Sequence, residues 1–149
     1  MKKLLLFGAL LISLDSLAQD FDLNHENPTS VVNAIFHAAE TGEYEILGGL
    51  CDPLARGDGD VKNICQLGYG FSEAQKKELE ENGKSVDDFK KEFKDVFGKG
   101  EIIGNTKFES NDYGNYAKVD FYFYPDGSNK RKETMNLVQR GNNWYLSSF

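Results

Sequence analysis

The chain has 149 residues, 40% of them hydrophobic, and a formal net charge of −7. That apolar content excludes a disordered chain, and the length suits one domain with a core of its own. The acidic balance argues against nucleic acid as a partner and against anionic lipid, because phosphate is bound chiefly by Lys and Arg.

Met1-Lys2-Lys3 is a short cationic start, followed by an apolar or small-residue run from Leu4 to Leu14. Ser16-Leu17-Ala18 then places small residues three and one positions before a cut. This is the layout of a secretory signal peptide over residues 1–18. It is too short to span a membrane, which takes ~20 apolar residues. The expected mature chain is one domain, 19–149, beginning at Gln19 or Asp20, periplasmic or secreted, with no membrane span after cleavage. Losing Lys2, Lys3 and Asp15 moves the net charge to −8. No cysteine follows the cut, so a lipid anchor is not indicated.

After a polar lead-in, Asn27 is a good N-cap and Pro28 suits the first helical position. Val31, Val32, Ile35, Phe36, Ala38 and Ala39 form a wide apolar stripe, and Gly42 ends the helix. Glu43 to Leu50 reads as a second short helical segment, weakened by Gly48-Gly49. Residues 51–71 read as the least regular stretch. They hold Cys51 and Cys65, the only cysteines. An even pair in an exported chain predicts a disulfide. Two thiols fourteen positions apart without a nearby histidine lack the ligands for zinc, and no CxxC or paired base supports thiol catalysis.

Ser72 with Gln75 resembles a capping box opening a polar helix that ends at Asn82-Gly83. Ser85 and Asp88 open a stronger one, with Val86, Phe89, Phe93, Val96 and Phe97 on one face and Gly98 as its stop. From residue 101 the period changes to two. Strands are predicted over Glu101–Ser110, Tyr116–Tyr124, Lys130–Arg140 and Trp144–Phe149, with turns at Asn111–Asn115, Pro125–Ser128 and Gly141–Asn143. Short turns make the four strands an antiparallel meander. The fold class is α+β, with helices packed on one face of that sheet.

The phrase from Asn27-Pro28 to Pro53 and the phrase from Ala117 to Phe149 resemble the nuclear transport factor 2-like, or cystatin-like cone, superfamily. The second carries a hydrophobic strand, the Pro125-Asp126-Gly127 turn, Met135-Asn136-Leu137-Val138 and a last strand opening Asn142-Asn143-Trp144-Tyr145-Leu146. Within that group the chain looks most like small exported bacterial members of uncharacterised families. The resemblance implies N-terminal helices in the concave face of a curved, cone-like sheet, with a cavity at its open end. The cysteine loop and the polar 72–83 segment depart from it. Function does not transfer with the fold.

Catalytic members similar in fold place an Asp or His inside the cone. His25 lies in the lead-in here, and His37 shares a helix face with Ser30, Asn33, Glu40 and Thr41, so it is expected to be exposed. Asp120 alternates with Lys118, Tyr122 and Tyr124 on the face opposite Val119, Phe121 and Phe123. If that face lines the cone, Tyr116, Asp120, Tyr122 and Tyr124 form a ligand-binding acid–phenol cluster, and burial raises the carboxyl's pKa. Otherwise Asp120 is a cross-strand ion pair on a wet sheet face. Tyr113 and Tyr145 add to the amphipathic aromatics available to a partner. Asp52, Asp58 and Asp60 sit in one acidic, glycine-containing loop sequence, where Asp58 and Asp60 partly supply the alternating oxygens of a hard-cation loop, but Lys62 intrudes and the further ligands are missing.

No phosphate loop, nucleophile elbow, zinc motif or basic patch is present, so no cofactor, metal or catalytic residue is assigned. The expectation is an exported, non-catalytic module that binds a small molecule or a protein. The alternatives are a small isomerase- or dehydratase-like enzyme using Asp120 and its tyrosines, and a structural subunit that forms a homodimer through the sheet.

Overall fold

The computed structural model describes residues 21–55 and 59–149. The expected signal peptide and Asp58 of the acidic loop lie outside the described residues. Helix α1 (Pro28–Thr41) begins where expected: the Asn27 side chain accepts from the Thr29 N–H, and Gly42 closes the helix in the left-handed conformation. A 3-10 helix follows at Tyr44–Gly49. Helices α2 (Gly59–Tyr69), α3 (Glu73–Glu81) and α4 (Val86–Phe97) precede strands β1 (Glu101–Asn111), β2 (Gly114–Phe123), β3 (Arg131–Arg140) and β4 (Asn143–Ser148). Both α3 and α4 start on reciprocal capping boxes, Ser72 with Gln75 and Ser85 with Asp88.

The four strands form one antiparallel sheet in the order β1-β2-β3-β4. The chain is therefore α+β, helices first and meander last. Alternation along β2 buries Ala117, Val119, Phe121 and Phe123. With Met135, Leu137 and Leu146 they make the sheet's inner face, and the buried side of α1 covers it from Val31 to Ala39. The Phe36 and Phe121 rings meet at 5.9 Å. Phe93 and Phe97 of α4 extend the core toward Phe123. Register shifts within Ile103–Lys107 and at Asn136–Leu137 mark irregularities of the bulge type, which bend a sheet locally.

The β4 edge is covered. Trp144 donates its N–H to the His25 carbonyl at 2.7 Å, Leu146 donates to Leu50 at 2.7 Å, and Asp52 donates to Leu146 at 3.1 Å. The lead-in and the segment leaving the 3-10 helix thus share one strand edge.

Helix α2 corrects the expectation of an irregular 51–71 stretch. Val61, Ile64 and Cys65 lie at helical spacing and are buried, but three glycines in twelve residues mask the pattern. Gly68 has a packing reason. A Cβ there would stand 2.0 Å from the Gly48 backbone nitrogen, so α2 and the 3-10 helix touch backbone to backbone. Gly68→Ala gains helix propensity but forces these two elements apart. A net loss of about 2 kcal/mol is expected by chemical denaturation. An unchanged midpoint would mean that the contact is looser than this.

Candidate functional site

The four residues expected to form an acid–phenol cluster do not converge on a cavity. Asp120 projects from the sheet face opposite Phe121, where it accepts from the Thr134 hydroxyl at 2.6 Å and pairs with Lys132 at 3.3 Å. The Thr134 hydrogen bond, outweighing desolvation and aided by Lys132, holds its carboxyl below the usual range. The condition for a raised pKa is not met, and Asp120 instead makes the cross-strand ion pair that was the other expectation for this face. Tyr122, on the same face, lies under the Lys130 ammonium at 4.1 Å, and Lys130 pairs with Glu101 at 3.0 Å. Tyr116 sits across from Val138, which is in turn opposite Tyr145. Glu109 and Lys118 complete the row of cross-strand pairs at 3.0 Å. Tyr124 has already left the sheet, and its N–H bonds the Val96 carbonyl of α4.

The histidines hold structural positions. His37, expected to be exposed, stacks on Phe21 at 4.7 Å and bonds Glu43 at 3.0 Å, with a side chain only 18% exposed. His25 faces Tyr145 with its carbonyl tied to Trp144. Asp52, read as part of an acidic loop, instead makes a two-pronged ion pair with Arg140 at 2.8 and 3.1 Å. Asp60 lies in the first turn of α2. Among the described residues no group of three His, Cys, Asp or Glu side chains is placed to hold a metal. Cys51 and Cys65 are joined as a disulfide.

A cleft of about 530 Å³ opens on the inner side of the sheet, between α2, α4 and the adjoining ends of β2 and β3. Its floor is aromatic: the rings of Phe93, Phe97, Phe123 and Phe149 meet in stacked, tilted and edge-to-face pairs at 5.2–6.1 Å. Ile64 and Asn63 of α2 form one wall. Its rim carries Asp60, Lys84, Glu92, Arg131 and Glu133. Lys84 and Glu92 approach each other at 3.9 Å. The side chains of Asp60, Arg131 and Glu133 make no hydrogen bond or ion pair with any described residue.

Arg131 and Glu133 did not emerge from the sequence. They stand at positions i and i+2 before Met135 and Leu137, on the register that faces the helices. Two charged residues continuing an apolar strand face were the available signal.

No family model, curated protein or solved structure matches the chain. Among the described residues no helix is long and apolar enough to cross a membrane.

Proposed function

We propose that the chain is an exported, non-catalytic binding module whose ligand, a small molecule or a protein side chain, enters the cleft between α2, α4 and the sheet. The observation that carries this reading is the cleft's composition. Phenyl rings offer a desolvated floor, and charges without a partner among the described residues wait at its edge, the usual makeup of a ligand site. The volume falls within the range of small-molecule pockets, ~300–1,000 Å³. An isomerase-like role for Asp120 has less support, because its carboxylate lies on the opposite face of the sheet, engaged by Thr134 and Lys132 and outside the cleft. The disulfide supports export, since such bonds persist in oxidising compartments. Helices on the inner face of a bent meander support a divergent member of the nuclear transport factor 2-like superfamily.

A neutral solvatochromic dye tests the cleft. Its emission should rise and shift to the blue on binding the mature domain. Asn63→Trp, at an exposed position on the α2 wall, should block entry and abolish most of that signal without changing the thermal midpoint. A dye response that survives the tryptophan would place binding elsewhere and sink the proposal.

A further inference from the structure

Charged side chains on the two faces of this sheet behave differently. On the outer face Glu109 pairs with Lys118, Glu101 with Lys130, and Asp120 with Lys132. On the inner face Arg131 and Glu133 border the phenylalanine floor, and neither has an ionic partner among the described residues. Alternation sets them on the same side of β3, with Cα atoms roughly 7 Å apart at ~3.4 Å of rise per residue. Both are long enough to swing over the floor from adjacent points on the rim.

From this juxtaposition, and resting on the cleft reading above, we infer that the cleft takes a zwitterion with an apolar body, namely a hydrophobic α-amino acid. The ligand's carboxylate meets the Arg131 guanidinium, for which a forked donor is well suited. Its ammonium meets Glu133, and its side chain lies on Phe97, Phe123 and Phe149.

Charge decides between this class and its neighbours. A simple organic cation would satisfy Glu133 but bring a like charge beside Arg131. A simple anion would satisfy Arg131 and meet Glu133. In a site floored by phenyl rings such mismatches are screened less than in water, so each weakens binding. A zwitterion alone uses both groups. Asp60, exposed at the cleft mouth, stays solvated and adds a weak preference for the ammonium end.

The test is titration calorimetry on the mature domain, unfolded and refolded to strip any bound ligand, with three probes of one shape. L-Phenylalanine should bind, with 2-phenylethylamine and 3-phenylpropionate each weaker by roughly tenfold or more, the loss of one charge-assisted contact. Arg131→Gln should weaken phenylalanine by about the same factor and leave 2-phenylethylamine no weaker. Glu133→Gln should do the mirror image with 3-phenylpropionate. Both variants replace surface-accessible charges, and an unchanged thermal midpoint confirms that they fold.

Equal affinity for all three probes, or tightest binding of a singly charged one, overturns the zwitterion assignment. So does an absence of phenylalanine binding in a protein that still binds the neutral dye through the same cleft. If dye and amino acid both fail to bind, the cleft reading falls with it.

Discussion

Replacing both cysteines by serine, Cys51→Ser with Cys65→Ser, is expected to lower the thermal midpoint by about 10 °C. The bond closes a loop of about 15 residues, which the chain-entropy model values at ~3 kcal/mol, and a domain of this size loses a few degrees per kcal/mol. The two sulfurs sit at an informative place. Cys51 pairs with Leu146 at the β4 edge, and Cys65 lies in α2. Both are buried, so the link ties α2 to the sheet through the core. Because α2 supplies the Ile64 and Asn63 wall of the cleft, losing the bond should loosen that wall as well as the fold. The dye response of the serine variant should weaken even at temperatures where the protein is still folded. A midpoint shift under about 2 °C would mean that α2 is held by packing alone. Thiol titration of the denatured wild-type protein should find no free thiol.

Asp52→Ala is expected to cost about 3 kcal/mol at neutral pH. Asp52 is the one charged residue among the buried groups described, 2% exposed. Its two oxygens accept from the Arg140 guanidinium, and one also accepts from the Leu54 N–H at 3.0 Å. Truncating it strands the guanidinium and an N–H. Arg140 is 34% exposed, so water recovers part of the loss, which sets the figure at the low end for a broken buried pair. The Arg140 hydrogen bond, with Leu54 and the guanidinium charge helping, holds the Asp52 carboxyl below its ordinary range. A depressed folded pKa stabilises the protein above the unfolded value, ~3.9. That contribution fades as pH falls below about 4 toward the folded pKa. The stability gap between wild type and Asp52→Ala should therefore be flat from neutral pH to about 5 and shrink in stronger acid. A gap that keeps its size at low pH would show that side-chain packing, rather than charge, makes the contribution.

Much of the fold was legible because it is local. Period-two alternation located β2 with its buried Ala117, Val119, Phe121 and Phe123, and reciprocal capping pairs located α3 and α4. The Pro125–Ser128 turn carried its own chemistry, with Asp126 accepting the N–H groups of Ser128 and Asn129. Helix α2 was not legible. Gly68 reads as a helix breaker until Gly48 is seen against it, and that contact spans twenty positions.

The candidate site failed to show for the same reason. Asp120 stood out because it interrupts aromatic residues in sequence, yet its neighbours in space are Thr134 and Lys132. The cleft is assembled from the start of β3, the last residue of the chain, one face of α4 and a helix that sequence had not revealed. No window along the chain contains more than a fragment of it. The disulfide lay between these cases. Residue count and the expected signal peptide predicted it, but only the fold shows that it anchors a wall of the cleft.

The most direct measurement is a backbone amide NMR titration of residues 19–149 with L-phenylalanine. Shift changes should cluster on Ile64, Phe93, Phe97, Phe123, Arg131 and Glu133, and vanish in Asn63→Trp. Changes centred on Tyr116, Asp120 and Tyr122 would contradict the cleft and move the ligand to the outer sheet face.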